Sequence, residues 1–222
     1  MLLIILAVAA IAFFAIYYRH YDRKKRTQCL DNEQQLLGEF RDYIQTMRQG
    51  AYYVRKQQIR ELTSSIQNLA SINVTHKWRP PKDHPSAEAI SVLQEYLLDP
   101  AAVQNEINER YTQTEVGRWA ELFNTIEKHP LNAQQSRAVV SGEKNNRLIA
   151  GAGTGKTSTI IARTAYILRN GLAREDQVLL LAFGNKAAEV LRSRIRERTG
   201  HDVTVKTFHA LGLEIVGKVE GG

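Results

Sequence analysis

The chain has 222 residues, 43% of them hydrophobic and 24% charged, with a net charge of +7 and a pI of about 9.5. That length and composition fit a mostly globular chain of one or two small domains. The basic balance suits nucleic acid or an anionic membrane surface without choosing between them. A single cysteine, Cys29, excludes an intrachain disulfide and any zinc site built from cysteines.

The first predicted element is the apolar run at residues 2–18, which contains no charged side chain. Seventeen such residues lie at the short end of what crosses a bilayer as a helix. Tyr17, Tyr18 and Tyr21 would stand at an interface, and residues 19–26 add five Lys/Arg and one Asp. The expectation is a transmembrane anchor over 1–18, N-terminus out, with the bulk of the chain cytoplasmic. A cleaved signal peptide fits less well, because only Met1 precedes the run. A buried core helix is the remaining alternative.

Residues 19–128 read as a helical N-terminal region. Leu37, Phe40, Ile44, Met47, Ala51 and Val54 recur at steps of three and four, and the pattern resumes at Ile59, Leu62, Ile66 and Leu69. The phase breaks between Val54 and Ile59, so a long kinked helix and a helical hairpin both remain open. The seam would pack within the chain or support self-association with a second copy. Trp78, Arg79, Pro80 and Pro81 interrupt the pattern. Helices are then expected over 86–98, with Glu88 in the first turn, and over 101–126.

From residue 129 the pattern alternates strand and helix. Strands are expected at 147–150, 177–183 and 203–207, and helices at 156–168, 186–198 and from Phe208 onward. This is an α/β arrangement with a parallel sheet, and ligand sites belong at the C-terminal ends of its strands. The stretch Ala150, Gly151, Ala152, Gly153, Thr154, Gly155, Lys156, Thr157, followed by Ser158, lies between the first strand and the first helix. It is a phosphate-binding loop by residue type and context. Its glycines let the backbone approach an anion, and the next helix adds its positive N-terminal end. Lys156 would reach the β- and γ-phosphates, and the Thr157 hydroxyl would ligate Mg²⁺. The motif usually begins with Gly, and here it begins with Ala150. Phe183 and Phe208 sit at strand ends, where an exposed aromatic ring can stack on any base. The arginines 192, 194, 196 and 198 spread around their helix and read as a solvated surface.

Four motifs occur in order: Pro130–Gln135 (PLNAQQ), Ala150–Thr157 (AGAGTGKT), Leu181–Leu191 (LAFGNKAAEVL) and Thr207–Gly212 (TFHALG). Together they resemble the UvrD/Rep family of superfamily-one DNA helicases over residues 115–219. The resemblance implies an incomplete RecA-like ATP-binding domain at 129–222, with ATP and Mg²⁺ as cofactors and single-stranded DNA as partner. It implies that Gln135 hydrogen-bonds the adenine, and that Lys156 and Thr157 serve phosphate and Mg²⁺. It implies that Phe183, Asn185, Lys186, Thr207, Phe208 and His209 contact single-stranded DNA. No apolar strand ending in an Asp-Glu pair follows Thr157. The expectation is the N-terminal part of an ATP-dependent helicase, inactive by itself. The alternative is a membrane-anchored nucleotide-binding or interaction module that does not translocate.

Overall fold

The computed structural model describes residues 2–76, 78–151 and 153–220, the side chains of residues 2–12 and 14 excepted. In chain order the elements are α1 (Leu2–Arg48), α2 (Lys56–Gln67), α3 (Ala70–Thr75), α4 (Ala87–Leu98), α5 (Pro100–Arg118) and α6 (Ala120–Thr125). There follow α7 (Ala133–Val140), α8 (Lys156–Arg169), a 3₁₀ turn (Glu175–Gln177), β1 (Leu179–Ala182), α9 (Asn185–Thr199), β2 (Thr204–Thr207) and α10 (Phe208–Glu220). The chain divides into two compact units, residues 1–111 and 112–222.

In the first unit the expected apolar seam is the core. Leu37, Ile44 and Met47 of α1 are buried with Ile59, Leu62 and Ile66 of α2 and with Ile90, Leu93 and Tyr96 of α4. The break in the sequence phase is a break between two helices, α1 ending at Arg48 and α2 starting at Lys56. Gly50 takes a left-handed φ of +71°, which ends α1 where a side chain would be strained. The segment after it is held by α5: Val54 N donates to Asn108 Oδ1 at 2.8 Å, and Gln104 Nε2 donates to Val54 O at 2.9 Å. Glu33 of α1 accepts from the first two amides of α3, Ala70 N at 3.1 Å and Ser71 N at 2.9 Å, and so caps that helix from a distance.

The membrane anchor requires correction. Residues 2–18 form no element of their own, because α1 runs unbroken through the basic stretch to Arg48. Among the described residues, no helix is long and apolar enough to cross a membrane. The side chains of residues 2–12 and 14, on which much of that expectation fell, lie outside the described residues. The membrane-anchored location falls with it.

The second unit also departs from the expected α/β sheet. Among the described residues the chain is mostly helical, and the sheet has two strands, β1 and β2, paired in parallel with Leu179 opposite Thr204 and Ala182 opposite Thr207. Residues 147–150, expected to be a strand, are irregular, with Leu148 45% and Ile149 81% exposed. Apolar residues alone do not make a strand: the ladder needs a partner for its backbone groups, and no strand pairs this segment among the described residues. The run expected at 177–183 shortens to four residues, and it is not buried on both faces, since Leu179 and Leu181 are exposed. The helices hold closer to their pattern. The core joins Ile161, Ala165 and Tyr166 of α8 to Leu191 and Ile195 of α9 and to Val203 and Val205 at β2.

Candidate functional site

The loop from Ala150 to Gly155 leads directly into α8. Gly153 has φ +72° and Gly155 φ +89°, left-handed values that favour glycine. Gly155 is the N-cap of α8, and no side chain caps the helix. The first N–H groups of this 14-residue helix have no side-chain acceptor. Lys156 Nζ donates to the Ala150 carbonyl at 2.9 Å and to the Gly151 carbonyl at 2.5 Å, so its ammonium lies across the loop. Thr154 Oγ1 donates to Gly151 O at 2.8 Å and tightens the turn. Thr157 is exposed in the first turn of α8, and Ser158 is half-buried. Ala152 lies outside the described residues.

Gln135 reaches the same loop from α7. The same residue closes a reciprocal cap at the start of that helix. Gln135 N donates to Asn132 Oδ1 at 2.9 Å, and Asn132 N donates to Gln135 Oε1 at 2.8 Å. The other end of the side chain, Nε2, donates to the Thr154 carbonyl at 3.0 Å.

The other four-motif residues gather at the C-terminal ends of the two strands. Parallel register sets Ala182 opposite Thr207, so Phe183 and Phe208 follow at adjacent strand ends. Phe183 is 95% exposed and Phe208 62%, so neither ring is part of the core. Asn185 and Lys186 open α9 and are exposed, as is His209 in the first turn of α10. Thr207 differs from its neighbours. Its side chain is buried, and its Oγ1 accepts from Ala210 N at 3.1 Å, capping α10. A groove of about 580 Å³ between α8 and α9 is lined by Thr157, Ile160, Phe183, Lys186, Val190 and Arg194, bringing loop and strand-end residues together.

Two of the arginines expected to be solvated are structural. Arg192 donates to the Val205 carbonyl of β2. Arg194 pairs with Glu127 at 2.7 Å, and the Glu127 side chain is nearly buried. Beside them Glu214 of α10 accepts from Lys206 and Lys218, which hold its carboxyl down to about 2. Helical spacing gave no hint of the arginine partners, because those partners are distant in sequence. The Asn132–Gln135 cap was missed from the sequence, and the signal that could have found it is an N-cap residue followed three positions later by Gln.

Residues 131–219 match the UvrD/REP helicase N-terminal domain. The chain is similar to DNA helicase IV of Escherichia coli, 45% identical over 130 residues, which is 58% of this chain and 19% of that protein. It is 36% identical over 89 residues to DNA helicase II of Rickettsia typhi, covering 40% of this chain and 14% of the relative. It is 37% identical over 90 residues to the ATP-dependent DNA helicase UvrD1 of Mycobacterium leprae, covering 39% and 12%. The chain thus spans about a fifth of the E. coli helicase and less of the other two.

Proposed function

We propose that residues 131–219 bind ATP with Mg²⁺ on the Ala150–Ser158 loop and single-stranded DNA at the ends of β1 and β2, as part of an ATP-dependent DNA helicase. The observation that carries this reading is one unit holding a left-handed glycine loop at an uncapped helix start together with two exposed phenylalanines at register-matched strand ends. A nucleotide switch alone would have no use for the two rings.

The residues present fit the ligands. The open amides of α8 and the Lys156 ammonium supply donors and positive charge for phosphate oxygens. Lys156 is already held over the loop by two carbonyls, and a triphosphate would compete with them for the ammonium. Thr157 would give one oxygen to Mg²⁺, with phosphate oxygens and water supplying the others, as that ion prefers. Gln135 has capacity to spare. A primary amide has two N–H donors and two acceptor lone pairs, and Thr154 and Asn132 use one of each. The remaining donor and acceptor match the N7 and N6 edge of adenine. Phe183 and Phe208 would stack on successive bases, and Lys186 would meet a backbone phosphate.

The test is equilibrium binding of ATP and of a short single strand to the whole chain. Lys156→Ala is expected to lose most ATP affinity with an unchanged circular dichroism spectrum. Phe183→Ala is expected to keep ATP and weaken the single strand by about 1–3 kcal/mol. Equal ATP binding by Lys156→Ala and parent would reject the nucleotide reading, and equal strand binding by Phe183→Ala would reject the DNA reading.

A further inference from the structure

Gln135 is joined to the phosphate loop in a way that base recognition does not require. Its amide group is fixed at both ends: the oxygen by Asn132 N, the nitrogen by the Thr154 carbonyl. A Cβ built on Gly155 would collide with that same Gln135 nitrogen, so the side chain lies directly against the loop backbone. The geometry has a consequence for the Thr154–Gly155 peptide plane. In a trans peptide the C=O and the following N–H point in opposite directions. Drawing the Thr154 carbonyl toward α7 turns the Gly155 N–H away from α7 and keeps the carbonyl oxygen from facing an anion. The carrier of Gln135 is itself tied down, because Arg163 of α8 donates to the Val139 carbonyl near the end of α7.

We propose that Gln135 is a positioning residue for the phosphate loop: by holding the Thr154 carbonyl and packing on Gly155, it sets the loop to receive a polyphosphate whether or not a base is attached. The proposal rests on the nucleotide-binding reading and adds a role that is independent of adenine. Removing the Gln135 side chain then weakens binding of inorganic tripolyphosphate and of ATP together. One hydrogen bond of ordinary net strength corresponds to about a three- to tenfold loss.

The experiment measures the affinity of the whole chain for ATP and for inorganic tripolyphosphate, both with Mg²⁺, in parent, Gln135→Ala and Asn132→Ala. Asn132→Ala removes the side-chain half of the cap, the bond from Gln135 N, but keeps Asn132 N on the Gln135 oxygen and the reach to Thr154. It separates loss of helix stability from loss of loop positioning. The expected result is a parallel loss of both ligands in Gln135→Ala, while Asn132→Ala lowers the melting temperature and leaves both affinities within about twofold of the parent, less than one such hydrogen bond. If Gln135→Ala does not fold, Gln135→Asn keeps the amide but shortens its reach by one methylene, and the same parallel loss is expected. Loss of ATP binding alone, with tripolyphosphate unchanged, would overturn the proposal and leave Gln135 as a base contact only. Unchanged affinity for both would overturn it too, as would an equal loss in Asn132→Ala. A parent chain that binds neither ligand would instead reject the nucleotide-binding reading beneath it.

Discussion

At Gly155 two constraints meet on one residue: a left-handed φ of +89° and the Gln135 amide pressed against the space where a Cβ would go. An L-residue in that conformation costs about 1–2 kcal/mol before any overlap is counted. Gly155→Ala is therefore expected to lower the melting temperature and to weaken triphosphate binding. Gly171→Ala serves as the control, because Gly171 is also left-handed, at φ +66°, but its Cβ would meet nothing within 4 Å. Comparable loss of triphosphate affinity in both variants would show that the Gln135 packing is irrelevant. At this scale the sequence was informative where a residue type is demanded by local geometry. Gly153 and Gly155, both left-handed, are such positions. It was silent where a side chain answers to something far along the chain. Arg194 could not be told from the other arginines of α9, because its partner Glu127 is 67 residues away. Thr207 was expected to face DNA, yet its hydroxyl caps α10, a use that a Thr before a helix shares with many N-caps.

Helices were more legible than strands, and the reason is physical. A helix satisfies its own backbone, so the apolar period of α8 and α9 reports the element almost directly. A strand depends on a neighbour. Residues 177–183 found one and kept four residues as β1, whereas 147–150 found none and stayed irregular. The junction of β2 and α10 gives an element-scale prediction. Glu214 bonds Lys206 of β2 and Lys218 one turn along α10, and its carboxyl is held from an ordinary 4.5 down to about 2. Glu175 is lowered in the same direction by the His201 side chain and the Asp202 amide, which tie the turn before β1 to the approach to β2. A depressed carboxyl contributes stability above its unfolded pKa and loses it as pH falls through the folded one. The junction is therefore expected to weaken between about pH 4.5 and pH 2. Glu175 is exposed and Glu214 half-exposed, so the contribution is modest and falls with salt. The measurement is the melting temperature of parent and Glu214→Gln across that range at low ionic strength. A difference between them that shrinks as pH falls agrees with the pairing. A difference that stays constant from pH 5 to pH 2 would show that Glu214 contributes no charge interaction there.

Among the described residues, the buried apolar side chains fall into two clusters, one in residues 1–111 and one in 112–222. The candidate loop, Gln135 and the strand ends all belong to the second, and the family match also lies wholly within it. Sequence alone suggested a change of character near residue 129, where helical periodicity gives way to alternation. It did not reveal that α6, a helix with no strand beside it in sequence, contributes Leu122 and Phe123 to the second core. Separate cores predict separable damage. Leu93 is fully buried in the first and Ile161, on α8 beneath the phosphate loop, is fully buried in the second. Truncating either to Ala removes a large apolar side chain from a packed site and costs about 2–5 kcal/mol where the hole cannot collapse. Leu93→Ala is expected to lower the cooperativity or midpoint of thermal unfolding while leaving triphosphate affinity at the parent value. Ile161→Ala is expected to lose both, because α8 carries the helix start proposed to receive the triphosphate. Circular dichroism melts and tripolyphosphate binding on the same preparations check the pair. If Leu93→Ala weakens tripolyphosphate as much as Ile161→Ala does, the first core supports the loop, and the two units do not behave as separate folding units.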